Sequence, residues 1–336
     1  MKPLFQKKDV VGLSSLNVDY IFETSDLSFL RSIYPTEEDR RALSLTDPED
    51  SKDIETLIHQ KARLISKSGG GSGANTVFCL AKMGFQSGLV GKIGWDADGD
   101  YLLKELSTVP FLHLARNYQT GKALIILGPS RDRIMFLLPN ANSTLTWPDL
   151  DLDFMGSFEF LHMTSLPGEG LALQERLAAE IFQRVRISFD PGEIYARMGL
   201  EAMRPILSRT EILFLTEKEL ELMTGFPLRE AVPTVQSLGI SLVAVKRKGA
   251  GASIFQGTEV WELPAEVISA TDTTGAGDVF AAGFLAGWLQ GQSPPHCGRI
   301  ALALARQSML GVGRMAYPGR ADFDRVMKKV RLSSDS

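Results

Sequence analysis

Asp272-Thr273-Thr274-Gly275-Ala276-Gly277-Asp278 runs directly into an apolar stretch, Val279 to Leu289, that predicts a helix. Two glycines and an alanine at a helix start leave backbone N–H groups uncovered. The helix dipole adds positive potential there, so the run is an anion pocket by construction. An acid in the same turn would repel a phosphate that was merely to be held. It makes sense if Asp278 takes the proton of an alcohol attacking that phosphate. The run therefore reads as a phosphoryl-transfer site, with Gly275, Ala276 and Gly277 as anion hole and Asp278 as base. A Gly-rich turn that only opens a helix is the competing reading, and the rest of the chain has to decide between them.

The chain has 336 residues, 44% of them hydrophobic and 23% charged, enough for one large core or a core with a small appendage. A net charge of −4 leaves no basic footprint for nucleic acid. The short clusters Lys246-Arg247-Lys248 and Lys328-Lys329 read as solvated surface or anion contacts. Cys79 and Cys297 lie far apart in apolar helical contexts, which predicts buried free thiols. His59, His113, His162 and His296 form no metal-binding spacing. Met1 to Lys8 is too polar for a signal peptide, and no apolar run is long enough to span a bilayer. A soluble, cytoplasmic protein with no membrane partner is the expectation.

Short apolar runs recur between helical segments: Asp9–Leu13, Ser87–Val90, Phe158–Met163, Arg186–Phe189, Ile212–Leu215 and Leu242–Val245. Asn75–Met83 and Ala97–Leu106 read as helices between the first of these. The alternation predicts a mainly parallel sheet covered on both faces by helices. Lys122–Leu127 and Arg133–Leu138 break it: joined by Gly128-Pro129-Ser130-Arg131-Asp132, they read as a hairpin. A small sheet beside the main one follows, with Asn17–Phe22 as a further strand. The connection from Asp19 to Gly70 is long and acidic, with Pro35-Thr36-Glu37-Glu38-Asp39 and Asp47-Pro48-Glu49-Asp50, and Ile54–Ile65 reads as helical.

Three further runs carry chemistry. Asn17 and Asp19 follow the first strand, where open α/β sheets place ligands, and an amide with a carboxylate suits vicinal hydroxyls. Gly70-Gly71-Ser72-Gly73-Ala74-Asn75 permits close backbone approach to a ligand, with Asn75 as helix cap, ligand contact or both. Asp96, after Gly91 and Gly94 and before Gly99, reads first as the cap of the helix from Ala97.

These runs together resemble the ribokinase-like (PfkB) family of carbohydrate and nucleoside kinases. Its C-terminal signature, Asp-Thr-x-Gly-Ala-Gly-Asp before a helix, matches 272–278 at every fixed position, and Gly70 to Asn75 resembles the N-terminal one. The resemblance spans Val10 to about Val330. It implies a single kinase domain over 1–336: a three-layer α/β/α sandwich with a small β-sheet lid built from about 15–24 and 115–142. It implies ATP and Mg²⁺, with Asn17, Asp19, Gly70, Gly71 and Asn75 holding the acceptor.

The same resemblance implies that Thr216, Lys246, Gly249, Gly251 and Gly313 lie along the nucleotide and that Glu219 reaches Mg²⁺ through water. Thr216 replaces the family's Asn. Arg314 stands where members with a monovalent-cation loop have Ala, which argues against a K⁺ requirement here. Thr120-Gly121 and Asn140–Asn142 bracket the hairpin near the acceptor, and Arg133 reads as a surface residue. The expected reaction is transfer of the ATP γ-phosphate to a sugar hydroxyl. A ribonucleoside acceptor is the alternative, because the long Asp19–Gly70 connection resembles the adenosine-kinase branch. A non-catalytic sugar or nucleotide sensor on the same scaffold would have lost Asp278. The apolar face of Leu124, Ile126 and Phe136 permits a homodimer through the lid.

Overall fold

In the computed structural model the described residues are 7–30, 43–129, 133–181 and 184–332. The acidic run Pro35–Asp39, the turn residues Ser130–Asp132 and the side chain of Arg133 lie outside them. In chain order the strands are β1 (Lys8–Leu13), β2 (Asn17–Glu23), β3 (Leu43–Ser44), β4 (Arg63–Gly70), β5 (Ser87–Ile93), β6 (Phe111–Arg116) and β7 (Gly121–Leu127). They continue with β8 (Arg133–Leu138), β9 (Phe158–Thr164), β10 (Arg186–Asp190), β11 (Thr210–Thr216), β12 (Leu242–Lys246), β13 (Ala252–Gln256) and β14 (Glu259–Leu263).

Nine strands form the main sheet in the order β14-β13-β12-β11-β10-β9-β1-β5-β6. β12 to β6 in that order are parallel, and β13 and β14 add antiparallel strands at one edge. Alternate residues serve opposite faces. Ile212, Phe214, Leu242 and Ala244 join the core beneath the helices Ser72–Lys82, Ala276–Leu289, Pro294–Ser308 and Arg320–Leu332. Leu213, Leu215, Val243 and Val245 join the opposite core, beneath Gly170–Ile181, Leu200–Leu207, Glu217–Thr224 and Leu228–Gln236. Burial on both faces is why the strands read as continuous apolar runs. The chain leaves β1 toward β5 and β6 on one side and returns to β9 on the other, so the strand order reverses beside β1. That reversal, at the carboxyl ends of the strands, is where such sheets open a ligand crevice.

The second sheet has five strands in the order β3-β8-β7-β2-β4. Only three residues separate β1 from β2, so Asn17 and Asp19 stand where the two sheets meet. Three features differ from the sequence reading. The helix expected over Ile54–Ile65 runs over Pro48–Lys61, capped by the Asp47 carboxylate, and residues 63–70 are strand β4. Ile58 and Ile65, seven apart, mimic a helical repeat; antiparallel pairing with β2 prevails instead. β6 also belongs to the main sheet, so 115–116 are not part of the small one.

The third difference concerns association. Leu124, Ile126 and Phe136, the face expected to take a partner subunit, are each 0% exposed. They pack with Phe22, Ile54 and Ile58, so the chain's own helix Pro48–Lys61 already covers them. The face is satisfied within one chain and is not available for a dimer. Phe136→Ala should therefore destabilise the protein by about 3–5 kcal/mol, read as a lower urea midpoint, with the same association state by sedimentation as the unaltered protein.

Candidate active site

Helix Ala276–Leu289 is fixed by its apolar body: Phe280 and Phe284 make edge contacts with Phe214 of β11, at centroid distances of 6.5 and 5.5 Å. Its N-terminus is therefore aimed at the strand ends. Gly275 is the N-cap residue at φ 74°, a left-handed conformation that disfavours side chains. A Cβ there would also fall 2.0 Å from the Tyr317 hydroxyl. No side chain caps this turn, and the first helical bond is from Val279 N–H to the Gly275 carbonyl. Amides at Gly277 and Asp278 thus lie in the uncapped first turn, with the positive end of the dipole behind them.

Asp278 meets the N-terminus of a second helix, Ser72–Lys82. Its Oδ1 accepts from the Ser72 hydroxyl at 2.5 Å and its Oδ2 from the Asn75 Nδ2 at 2.8 Å. Thr76 Oγ1 donates to the Asp278 carbonyl at 3.2 Å. The carboxylate keeps a partly open edge, but burial pushes its pKa up to about 6, against the two hydrogen bonds and Lys246, which favour the charge; Asp190 adds to the rise. Ser72 escaped the sequence reading, although it stands inside the Gly-rich run that announces the helix.

Where β2 begins, Asn142 Nδ2 donates to Asn17 Oδ1 at 2.8 Å and to the Leu16 carbonyl at 3.1 Å. Asp19 lies so close over Gly70 that a Cβ on Gly70 would sit 2.1 Å from its Oδ1, so only glycine fits beneath the carboxylate. Burial raises the Asp19 pKa to about 7; Arg314 opposes this, while Asp278 and Glu105 reinforce it. Gly71 begins the Ser72–Lys82 helix, bringing Asn75 to Asp278. Thr120 turns away from this cluster and, with Gly99, satisfies Asp96, which caps the helix Ala97–Glu105.

On the other side of Asp278, Lys246 at the end of β12 bonds Asp190 at the end of β10, at 2.6 Å. Burial disfavours the ammonium, but Asp190 and Glu219 outweigh it and hold its pKa above the usual lysine range. A Cβ on Gly277 would lie 3.4 Å from Lys246 Nζ, so the cation flanks the helix N-terminus. Asp190 was not singled out from the sequence; its signal is an acid at the carboxyl end of a parallel strand. Thr216 and Glu219 form a reciprocal capping box, with Glu219 Oε2 accepting from Thr216 N–H at 2.6 Å. Burial, then Asp190, raises the Glu219 pKa. Gly249 and Gly251 lie at the β12–β13 turn, Gly249 with no atom near its would-be Cβ. Gly313 donates weakly to Asp272, whose other oxygen holds the Thr274 amide.

Among the described residues no three His, Cys, Asp or Glu side chains are grouped to hold a metal by themselves. Asp190 and Glu219 nevertheless offer hard oxygen donors beside the anion hole. That donor set suits Mg²⁺, which keeps most of its water and takes one or two protein carboxylates plus phosphate.

The sequence profile of pfkB family carbohydrate kinases matches residues 45–316. The chain belongs to this family, whose reaction class is ATP-dependent phosphorylation of an alcohol group. An uncharacterized sugar kinase of Archaeoglobus fulgidus is 31% identical over 229 residues, covering 66% of this chain and 90% of that protein. The adenosine kinase structure from Sinorhizobium meliloti superposes with a TM-score of 0.82 at 19% identity, covering 98% of this chain and 100% of the other. The Arabidopsis thaliana ribokinase complexed with ribose and ATP gives a TM-score of 0.75 at 21% identity, covering 96% and 99%. These solved structures share the ribokinase fold with this chain.

An Asp278 pKa near 6 has a direct kinetic consequence. If Asp278 acts as a base it works only when ionised, so kcat/KM would then fall on acidification through about pH 6 to 7, the values of Asp278 and of Asp19 beside it. A pH–rate profile from 5 to 9 checks this, and an acid limb near 4 would contradict the desolvated carboxylate.

Proposed function

We propose that this kinase transfers the γ-phosphate of ATP to a hydroxyl of a sugar, with Asp278 as general base. The observation that carries the reading is the placement of Asp278. It is desolvated at the uncapped N-terminus of Ala276–Leu289, with Lys246 on one side and Asp19 on the other. The triphosphate tail would lie on Gly275–Gly277 with Lys246 against it. Asn17, Asp19 and Asn75 would orient the acceptor, with Gly70 and Gly71 letting it approach the backbone. Asp278 accepts the hydroxyl proton as the oxygen attacks in line, while the first-turn amides and Lys246 meet charge on the transferred group. Mg²⁺, bound near Asp190 and Glu219, would neutralise the phosphates. Thr216, Gly249, Gly251 and Gly313 serve this side by shaping the turns around it. The small sheet acts as a lid that excludes water.

A ribonucleoside acceptor is the second reading, favoured by the pairing in the small sheet. Asp19 is flanked by Ala123 and Leu137 across β7 and β8, and the next row on that face is Ile21, Ile125 and Met135. A hydroxyl-binding acid that continues into an apolar surface suits a molecule with a sugar at one end and a planar base at the other. Nothing supports nucleic acid or a bilayer as partner, and no helix among the described residues is long and apolar enough to cross a membrane.

Asp278→Asn should keep ATP binding by calorimetry yet lose about 10³-fold in kcat; near-normal turnover would remove Asp278 from the mechanism. A screen of sugars and nucleosides with MgATP then assigns the acceptor, and activity confined to nucleosides would replace the sugar reading. The cation requirement follows from Lys82, whose ammonium reaches the carbonyls of Arg314, Met315 and Tyr317 at 3.3, 3.4 and 2.5 Å. With those carbonyls already satisfied, replacing K⁺ by choline should leave the rate unchanged, and strong K⁺ activation would refute this.

A further inference from the structure

Arg314 lies in the turn Gly313–Ala316 and is only 3% exposed. Each of its three guanidinium nitrogens has an acceptor. Nε donates to Asn75 Oδ1 at 2.9 Å, one terminal nitrogen to Glu105 Oε2 at 3.2 Å, and the other to the Gly70 carbonyl at 3.1 Å. The guanidinium carbon stands 5.1 Å from the centroid of Phe78. A cation so enclosed has no face for a ligand phosphate, so its effect on chemistry runs through the groups it holds.

We propose that Arg314, anchored by Glu105, is a positioning residue for phosphoryl transfer. It locks the Asn75 amide with its NH₂ toward Asp278 and pins the Gly69–Gly71 corner beneath Asp19. The proposal rests on the kinase reading above. The amide of an asparagine has two nearly equal shapes, and its partners decide which end faces where. A guanidinium donor on Oδ1 leaves only Nδ2 to face the carboxylate, at 2.8 Å from Asp278. A flipped amide would turn an acceptor against an acid.

Glu105 is itself fixed, accepting from Gly69 N–H at 2.7 Å and from the Tyr101 hydroxyl at 2.8 Å. One hydrogen-bonded chain thus joins β4, the helices Ala97–Glu105 and Ser72–Lys82, the Gly313–Ala316 turn and the start of Ala276–Leu289. Taking two charges out of water offsets much of their attraction, so the pair adds little net stability and orientation is the better reason for it. Lysine at 314 would preserve the charge but not the fork that reaches Asn75, Glu105 and Gly70 together.

The test is the titration of Asp278 itself in full-length protein labelled with ¹³C at aspartate carboxyl carbons. The resonance that disappears in Asp278→Asn assigns it. Other groups whose charge couples to this carboxylate are Asp190, Lys246, Asp19, Tyr317 and Cys79, all unchanged in the variants. Arg314→Lys keeps the charge, and the paired Arg314→Met with Glu105→Gln removes the ion pair without stranding a charge. In whichever of these folds, by circular dichroism, the Asp278 midpoint should rise by about one unit, the worth of one hydrogen bond to a charged group. With the acceptor from the screen, kcat should fall about ten- to a hundredfold while ATP affinity is kept. An unmoved Asp278 midpoint in a folded variant overturns the positioning role, even if the wild type is a kinase. A wild type that phosphorylates no acceptor overturns the kinase reading, and the catalytic meaning of the pair with it.

Discussion

The site depends on two helices that begin at the same place. Ala276–Leu289 supplies an uncapped positive end and the acid Asp278; Ser72–Lys82 supplies the hydroxyl and amide that hold that acid. Neither helix start is a catalytic device alone. A carboxylate in the first turn of its own helix is ordinary capping chemistry. Its pKa rises to about 6 because the second helix and the sheet ends take its water away while leaving it two donors. Burial and hydrogen bonding pull its proton affinity in opposite directions, and burial wins by a margin that leaves it ionised near neutrality.

The same balance extends across the cleft. Asp19, Asp190, Glu219 and Asp278 concentrate negative charge in a region that would have to receive a triphosphate. Lys246 offsets it on one side, between Asp190 and Glu219, and Arg314 on the other, bound to Glu105 and acting on Asp19. The two cations differ in availability. Lys246 flanks Gly277 and faces the anion hole, whereas Arg314 is walled in and has every nitrogen engaged. One flanks an uncapped helix start and the other is bound wholly to protein groups.

The small sheet shows how one element serves two surfaces. Phe22, Leu124, Ile126 and Phe136 point to the helix Pro48–Lys61, which closes that side within the chain. The alternate residues, Asp19, Ile21, Ala123 and Ile125, stand on the opposite face of the sheet, where the apolar three form a cluster of their own. Because side chains alternate along a strand, fixing one face under the helix fixes the other away from it. The long acidic connection thus carries the helix that sets the orientation of Asp19.

Much of this was legible in the chain. Glycines at 275, 70 and 71, the acids at 278 and 19, and the apolar strand runs each have a local physical reason to be where they are, so local reading finds them. The strand at 63–70 was not legible, because the isoleucines at 58 and 65 fit a helical repeat as well as a pleat and only pairing with β2 decides. Arg314 was visible as a departure from the family, but its direction was not. A residue one turn from the cation loop could face that loop or the cleft, and its partners Asn75, Glu105 and Gly70 come from parts of the chain more than two hundred residues away. The sequence by itself determined the reaction class and offered the candidate residues for it, since turn geometry and periodicity are local properties. Only the tertiary structure decided how far each acid is desolvated and which cation answers it, because burial and charge pairing depend on segments that meet through folding.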